Sequence, residues 1–253
     1  MALIEKRGLV PGFILQRYKR FLADVRLEDG SVVTAHCTNT GTMKSCWEPG
    51  DFVLLEPSSN PDRKLKFTWI ACRREGAWVG VDTGIPNKVV AQAARQDCIP
   101  GLLGLCQVQT EVKYGRERSR IDVMALDADG RKVYIEVKNT TLRVGHRCCF
   151  PDAVTERGIK HLRELQAMVS EGHRAAIVFF VQRDDVSAFD AAREIDPGYA
   201  EELDRAAGAG VLALPVQAGL SAKPAGDGTW QAAWELPGLV PWEKRLEKKG
   251  DHG

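Results

Sequence analysis

The sequence predicts an α/β fold, α+β overall, in which an N-terminal OB-like β-barrel is followed by an α/β domain. Two observations carry this prediction. Five strand-like runs at short spacing occupy residues 1–85, and such spacing is typical of a small barrel, for which the OB arrangement is the economical choice. Beyond residue 85 the pattern changes to helix, three strands, helix and strand. With 253 residues, 44% of them hydrophobic, the chain can fill two cores.

The region 1–85 is assigned to strands because its apolar or alternating runs are rich in Val, Ile, Phe and Trp. These runs are FILQRYKRFLADVRLED, SVVTAHCT, DFVLLEP, FTWIACRRE and AWVGVDT. Turn signals separate them at Glu28-Asp29-Gly30, Pro49-Gly50, Ser58-Ser59-Asn60-Pro61 and Glu75-Gly76. We therefore expect one barrel over the whole region.

The region 86–216 alternates between helical and strand patterns. KVVAQAARQD predicts a helix, and three strands follow near 106–114, 120–127 and 132–141. DAVTERGIKHLRELQAMVSEG and YAEELDRAAGAG predict two further helices, which are separated by the buried strand RAAIVFFVQ, and VLALPV predicts the last strand. In residues 217–253, Pro, Gly, Ala and Lys dominate, so we expect a C-terminal tail that is partly disordered.

The charge balance, the cysteines and the apolar runs of the chain exclude several classes of protein. Lys and Arg total 35 against 34 for Asp and Glu, so any nucleic-acid site must be a local patch rather than the whole surface. The seven cysteines include no CxxC pair, which argues against a disulfide framework or a zinc site, and most are expected to be packed thiols. We find neither a long uncharged apolar run nor a secretory signal pattern, and we expect a cytoplasmic protein that does not bind membranes.

The stretch RIDVMALDADGRKVYIEVK, residues 120–138, predicts a β-hairpin whose turn has two possible forms. A two-residue turn Asp129-Gly130 would oppose apolar and polar side chains throughout. A three-residue loop, residues 128–130 with Gly130 in the left-handed region, places Ile121, Val123 and Ala125 opposite Val137, Ile135 and Val133 on one apolar surface. The alternation therefore favours the three-residue loop.

In that register Asp122 lies opposite Glu136, with Lys138 further along on the same face. Paired residues of this kind have Cβ atoms about 4.5 to 5.5 Å apart, and two carboxylates so placed repel unless a positive group lies between them. A divalent cation such as Mg²⁺ or Mn²⁺ is a natural occupant, because hard cations take carboxylate oxygens together with water and phosphate. Lys138 would then orient the attacking water. A solvent-exposed salt bridge among the three residues is the alternative.

Further charged residues surround this hairpin. Glu111 is a candidate third carboxylate for the metal, although exposed glutamates are common in strands. Three arginines in the turn before the hairpin, Arg116, Arg118 and Arg120, are candidate phosphate contacts, and a charged turn kept soluble by Glu117 is the alternative.

The helix that follows the hairpin carries a second set of basic residues. Asp152 is its expected N-cap, and Gly158, Leu162, Leu165 and Val169 form the stripe that packs on the sheet. A neighbouring face carries the candidate phosphate ligands Arg157, Lys160 and His161, for which a solvated basic face paired with Glu156 and Glu164 is the alternative.

The barrel carries two features of its own. Arg17, Lys19 and Arg20 interleave with Tyr18 and Phe21, a pattern that suits nucleic-acid binding through backbone attraction and base stacking, although aromatic residues also fill barrel cores. In HCTNTGTMKSCW, residues 39–41 offer amide and hydroxyl groups in a turn that holds a phosphate or caps the barrel.

The order Asp122, then Glu136-x-Lys138 on adjacent strands enclosed by helices, resembles the PD-(D/E)xK nuclease core. The chain also resembles the bacterial and archaeal sugar fermentation stimulation protein family, SfsA, through QRYKRFLADV, HCTNTGTM, EVKYGRERSRIDV, YIEVKNTTL and FPDAVTERGIKHLREL. The resemblance covers roughly residues 12–216 and implies an OB-like domain, a restriction-endonuclease-like domain, DNA binding and a link to sugar metabolism. The usual proline before the first aspartate is Ile121 here.

Residues and resemblance together predict a DNA-binding protein with a metal-dependent nuclease site. Asp122, Glu136 and Lys138 are the predicted catalytic residues. The predicted binding partner is DNA, in single-stranded or double-stranded form. A regulator of sugar fermentation genes that keeps the nuclease fold without turnover is the main alternative, and a protein that acts on RNA is a further one.

Overall fold

The computed structural model describes residues 2–115 and 119–244. The N-terminal half of the chain is built from strands. They are β1 (Ile4–Tyr18), β2 (Leu22–Leu27), β3 (Val32–His36), β4 (Phe52–Pro57), β5 (Phe67–Arg74) and β6 (Ala77–Gly80). β1 pairs with both β2 and β4, while β3 and β5 connect those two strands, so backbone pairing runs around a ring of five strands. This ring is the predicted OB-like unit.

The first run of the barrel differs from its prediction. FILQRYKRFLADVRLED forms two antiparallel strands, β1 and β2, that meet at a turn in which Lys19 and Arg20 have φ angles of 49° and 65°. Both residues adopt the left-handed conformation, which is usually found at Gly or Asn. Because the sequence has neither residue at this turn, its pattern did not predict the turn.

The C-terminal half alternates helices and strands. Its elements are α1 (Ile85–Arg95), β7 (Cys106–Tyr114), β8 (Ser119–Leu126), β9 (Lys132–Thr140), β10 (Leu142–Val144), β11 (Arg147–Phe150), α2 (Glu156–Ser170), β12 (Arg174–Val181), β13 (Ala188–Ala191), α3 (Pro197–Gly208), β14 (Leu212–Pro224) and β15 (Trp230–Leu239). The main sheet runs β15-β14-β12-β9-β8-β7, and β10, β11 and β13 form a small second sheet. The mixed α/β class and the order of the predicted elements are confirmed, whereas β10, β11, β13 and β15 were not predicted.

The helices cover opposite faces of the main sheet. Val89 and Val90 of α1 pack with Ile135 and Val178 on one face. On the other face, residues of α2 and α3, among them Leu162, Leu165 and Leu203, pack with Ile177 and Phe179. The predicted packing stripe of α2 is confirmed, since Gly158, Leu162 and Leu165 are buried and Val169 packs against the same cluster.

The predicted C-terminal tail, residues 217–253, contains a regular hairpin. β14 continues to Pro224 and pairs with β15, which in turn pairs with the start of β1 through Ile4 and Trp234. This hairpin joins the barrel and the main sheet into one continuous sheet. The prediction of partial disorder is therefore wrong for residues 217–224 and 230–239, and residues 245–253 lie outside the described part of the chain.

A buried arginine connects the two halves. Arg183 is 1% exposed and donates to the backbone oxygens of Ser45 in the barrel and Thr141 in the α/β half, at 3.2 and 2.7 Å. Its Nε and Nη2 donate to the two carboxylate oxygens of Asp185 at 2.6 and 2.7 Å. Because the buried guanidinium bridges the two halves, it fixes how they are oriented on each other.

All seven cysteines are free, and Cys37, Cys46, Cys72, Cys148 and Cys149 are buried. Burial raises the pKa of the Cys46 thiol to about 11, so this group stays protonated and unreactive at neutral pH. Among the described helices, none has the length and apolar character needed to span a membrane.

Candidate functional site

The hairpin β8–β9 has the predicted register. Val123 pairs with Ile135 and Ala125 pairs with Val133, as the three-residue loop requires. The loop closes through a hydrogen bond from Asp127 N to Arg131 O at 2.9 Å, and Gly130 has a φ of 75°. The hairpin therefore has the three-residue loop that side-chain alternation predicts.

The regular pattern breaks at Asp122. The paired residues of β7 and β8 pass from Thr110–Val123 to Val112–Ile121, and the pairing of β8 with β9 ends at Val123. Glu111, beside the break, has a φ of 56° although it is not a glycine. Ile121 consequently packs in the cluster under α2, whereas Val123 packs in the cluster under α1. The expectation that both residues share one apolar surface is wrong.

The break turns the Asp122 carboxylate toward two donors. Oδ1 accepts a hydrogen bond from Asn87 Nδ2 in the first turn of α1, and Oδ2 accepts one from the backbone N–H of Val137, both at 2.7 Å. Burial, and then the neighbouring Glu136 carboxylate, raise the pKa of Asp122 to about 6. The site thus holds two carboxylates close enough to oppose each other's ionisation.

Glu136 is buried in a cluster of nitrogen groups. Its Oε1 accepts a hydrogen bond from Lys138 Nζ at 2.6 Å and contacts His161 Nδ1 of α2. Lys138 Nζ lies 3.3 Å from the same His161 nitrogen. Burial acts to raise the pKa of Glu136, but the Lys138 ammonium and the His161 contact outweigh it and hold the pKa below its ordinary value. Glu136 is therefore ionised at neutral pH.

Asp122 and Glu136 present oxygen atoms of the kind that a hard divalent cation takes as ligands. Glu136 is 2% exposed, and its Oε2 is buried without a hydrogen-bond partner among the described residues. An unpaired buried carboxylate oxygen is costly unless it gains a ligand. Within the described chain, however, no three His, Cys, Asp or Glu side chains are grouped to hold a metal ion. The predicted set of Glu111, Asp122 and Glu136 is thus not assembled, and two carboxylates remain, which is a usual number for Mg²⁺.

A charged cleft of about 460 Å³, lined by both carboxylates and basic side chains, opens on one side of Asp122 and Glu136. Glu111 lines it together with Arg120, Arg157, Lys160 and His161. Arg157 Nε donates to His161 Nε2 at 3.3 Å, which joins the basic residues of α2 to the Glu136 cluster. The sequence-predicted basic residues of α2 and Arg120 are thus brought to the site, while Arg116 and Arg118 lie outside the described residues.

A second cavity of about 560 Å³ opens on the other side, between the barrel and the α/β half. The barrel contributes residues 38–41, which form the turn that the sequence analysis singled out. Asp152 Oδ2 accepts hydrogen bonds from Thr42 N at 2.7 Å and Thr42 Oγ1 at 3.2 Å. Gly41 lies so close that a Cβ at this position would displace the Asp152 carboxylate. The expected N-cap role of Asp152 is wrong, because α2 begins at Glu156 and is capped by Thr155.

The basic residues of the barrel have different surroundings. Arg17 Nη2 donates to the carbonyl oxygens of Arg20, Asn39 and Gly41 at 2.6, 2.8 and 3.0 Å, so this guanidinium holds two turns of the barrel together. Lys19 and Arg20 are exposed beside Phe21, which is itself 47% exposed. Lys19, Arg20 and Phe21 therefore remain accessible to a ligand.

Comparison with known proteins identifies the family. Residues 84–224 match the model of the sugar fermentation stimulation protein RE domain, and residues 15–81 match the model of the SfsA N-terminal OB domain. The chain belongs to the SfsA family. The SfsA homologue of Geobacter metallireducens is 49% identical over 210 residues, which are 83% of this chain and 90% of the relative. The homologue of Rhodospirillum rubrum is 51% identical over 214 residues, 80% of this chain and 87% of the relative.

A solved structure of the same family has the same fold. SfsA of Pyrococcus furiosus, determined in complex with Ca²⁺, superposes with a TM-score of 0.80 at 28% identity. The match covers 96% of this chain and 99% of that chain. The SfsA fold therefore includes the barrel, the α/β half and the C-terminal hairpin together.

Two residues that shape the site were missed as site residues by the sequence analysis. Asn87 binds Asp122 from 35 residues away, and Asp152 binds Thr42 from 110 residues away. Neither contact has a local sequence signature, because both depend on how α1 and the barrel pack against the sheet. Asn87 does stand in the first turn of α1, directly after Pro86.

Proposed function

We propose that this protein binds DNA and hydrolyses its phosphodiester bonds with Mg²⁺ or Mn²⁺ held by Asp122 and Glu136. The observation that carries the proposal is the buried, unpaired Oε2 of Glu136 beside a second carboxylate with a raised pKa. Two such groups at the meeting point of two cavities present oxygen ligands to a cation that also contacts substrate phosphate.

Each residue of the hairpin has a distinct role in the proposal. Asp122 and Glu136 supply oxygen ligands, and Asn87 and the Val137 amide hold the Asp122 carboxylate in place. A bound divalent cation would lower the pKa of a coordinated water and polarise the phosphoryl group. Lys138, whose Nζ donates to Glu136 Oε1, has further protons with which to orient the water or offset negative charge on the phosphate.

The basic residues around the hairpin are the proposed contacts to the phosphates of DNA. Arg120, Arg157 and Lys160 line the cleft beside the carboxylates, where phosphate groups of a nucleic acid would lie. We include His161 of the same cleft among these contacts. We propose that five further residues predicted from the sequence also contribute to phosphate binding: Arg17, Lys19, Arg20, Arg116 and Arg118. Arg17 would act indirectly, through the two turns that its guanidinium joins.

Two further parts of the proposal rest on chemistry and on relatives. The Ca²⁺ complex of the Pyrococcus furiosus relative supports divalent-cation binding by this fold. The seven free thiols suit a reducing compartment, and we place the protein in the cytoplasm. We propose a link to sugar metabolism from the name that the relatives share.

A second candidate is a DNA-binding regulator without turnover. The observation that favours it is the ion pair of Lys138 and Glu136 at 2.6 Å, since a lysine paired with a buried carboxylate stabilises the hairpin without any metal. The two candidates share the DNA-binding cleft and differ only in the role of the hairpin.

The test is a cleavage assay with matched variants. Purified protein is incubated with labelled single- and double-stranded DNA and matched RNA, in Mg²⁺, Mn²⁺ or EDTA. Glu136→Gln and Lys138→Met remove the proposed groups, and Lys132→Met changes an exposed lysine at the start of the same strand as a control. Circular dichroism checks that all variants remain folded.

The nuclease proposal expects metal-dependent cleavage that falls at least 100-fold in Glu136→Gln and Lys138→Met and is unchanged in Lys132→Met. DNA binding without cleavage in any metal, or cleavage that both site variants retain, would leave the regulator as the function. Cleavage of RNA in preference to matched DNA would change the substrate but not the role of the hairpin.

A further inference from the structure

The cavity between the barrel and the α/β half is continuous with the proposed catalytic site. It shares Asp122, Glu136, Arg157 and His161 with the charged cleft. The two carboxylates therefore lie where the cavities meet, and a strand whose phosphate sits at the carboxylates extends into both.

The two cavities differ in chemical character. Apart from the four shared residues, the cleft is lined by Arg120 and Lys160 together with Glu111 and Ser119. Apart from the shared residues and from Lys138 and Asp152, the interdomain cavity is lined by neutral hydroxyl, amide and apolar groups, which include Thr38, Asn39, Thr83, Asn139, Phe150 and Val154. Guanidinium and ammonium groups suit phosphates, whereas neutral hydrogen-bonding and apolar groups suit a base and its sugar.

The size of the interdomain cavity limits what can enter. Its volume of about 560 Å³ is that of a small-molecule site. A single nucleotide fits such a volume. A double helix, whose major groove alone is about 12 Å wide, does not. The occupant of this cavity is therefore unpaired.

The barrel wall of the cavity is held in place from three directions. Asp152 binds the backbone and side chain of Thr42, Thr38 Oγ1 donates to Asp82 Oδ1 at 3.1 Å, and Arg17 Nη2 donates to Asn39 O at 2.8 Å. A wall fixed in this way costs little ordering entropy when a ligand binds. Through Arg17 the same wall adjoins the exposed turn that carries Phe21.

We infer that the interdomain cavity is a subsite for one unpaired nucleoside next to the phosphate at Asp122 and Glu136, so that the substrate is a single-stranded segment or end. The assignment of the phosphate rests on the proposed function. The assignment of the nucleoside rests on the lining and the volume of the cavity, and it predicts a preference for single strands in binding as well as in cleavage.

The test fills the cavity from both sides. Thr40 on the barrel and Val154 on the α/β half line it and are exposed, Val154 by 71%, so Thr40→Trp and Val154→Trp add bulk without disturbing a core. Ser59→Trp, in the exposed loop between β4 and β5, is the matched control. Affinity for a fluorescein-labelled 12-nucleotide single strand and for a blunt hairpin duplex is measured by anisotropy in EDTA, with melting temperatures as the check on folding.

We expect the single strand to bind wild type at least tenfold more tightly than the duplex does. Thr40→Trp and Val154→Trp should each weaken single-strand binding at least tenfold, and Ser59→Trp less than twofold. Equal affinity for strand and duplex, or single-strand binding that both cavity variants retain, would overturn the subsite even if the protein proves to be a nuclease. If the cavity variants weaken single-strand binding but no metal supports cleavage, the subsite proposal stands and the nuclease proposal is rejected.

Discussion

The Asp122 carboxylate takes the place of a backbone group in its own hairpin. Its Oδ2 accepts the hydrogen bond of Val137 N at 2.7 Å, just beyond the point where the pairing of β8 with β9 ends. The same carboxylate is therefore both a structural acceptor and a proposed metal ligand. Substitutions there change stability and activity together, and a test must separate the two effects.

Comparing Asp122→Asn with Asp122→Ala separates them. Neither side chain is charged, but the asparagine oxygen can still accept from Val137 N, whereas alanine leaves that amide without an acceptor. We expect the alanine variant to be less stable than the asparagine variant by roughly 1–2 kcal/mol. Urea unfolding in EDTA at pH 7 measures the difference, and both variants should lose metal-dependent cleavage. Equal stability of the two would show that the Val137 hydrogen bond contributes nothing.

His161 positions Glu136 and Lys138 from the second turn of α2. Groups that hold a metal ligand in place typically contribute about 10- to 100-fold to metal affinity or activity. His161→Ala should therefore raise the Mn²⁺ concentration for half-maximal cleavage by about tenfold or more, with an unchanged melting temperature in EDTA as control. His161→Gln, which can still donate to Glu136, should recover part of this loss. A purely structural histidine would instead change the melting temperature and leave the Mn²⁺ dependence unaltered.

Arg120 is expected to contact phosphate without reading sequence. It is exposed and lines the charged cleft. Replacing one phosphate contact lowers the slope of log affinity against log salt by about 1. Arg120→Gln should show that change for DNA of any sequence. Arg95→Gln, at the end of α1 and also exposed, should not. If Arg120→Gln leaves the slope of log affinity against log salt unchanged, Arg120 does not contact phosphate.

The Arg183–Asp185 pair should make stability depend on pH. Burial acts to raise the pKa of Asp185, but hydrogen bonds and charge from Arg183 and Arg143 outweigh it and lower the pKa below the ordinary 3.8. A carboxyl group with a lowered folded-state pKa stabilises the protein above its unfolded pKa, and this contribution is lost as the pH falls through the folded pKa. Asp185→Asn should therefore cost on the order of 2 kcal/mol at pH 7.

That cost should begin to shrink below about pH 4, where the carboxyl of the unfolded chain is protonated first, and it should be lost as the pH falls through the lower folded-state pKa of Asp185. Urea unfolding of both proteins between pH 3 and pH 7 measures it. A difference that stays constant over the whole range would mean that the ionised form of Asp185 is not favoured by folding.

The local parts of the site were predictable from sequence, and the distant ones were not. Alternation over a few residues fixed the register of β8 and β9, and because Glu136 and Lys138 are two residues apart in β9, strand geometry alone puts them on one face. The turn at Lys19 and Arg20 was missed because both residues adopt positive φ without a glycine or asparagine to signal it.

Long-range pairing explains the other errors. β15 is a strand because it pairs with β14 on one side and with β1, at the opposite end of the chain, on the other. Its own composition did not predict this. Ile121 lies on an unexpected face because the strand is distorted at Asp122 and its pairing with β9 ends at Val123.

Asp152 should control how well the protein holds a single strand. Removing its carboxylate frees the Thr42 end of the barrel turn, so a nucleoside must then order the turn as it binds. We expect Asp152→Ala to raise the KM for single-stranded DNA about fivefold to tenfold with kcat within twofold of wild type, because the Asp122 and Glu136 carboxylates keep their contacts. Asp152→Asn, which retains an acceptor for Thr42 N, should fall between the two proteins. Steady-state cleavage in Mn²⁺ measures both constants, and a fall in kcat at unchanged KM would assign Asp152 to the chemical step instead.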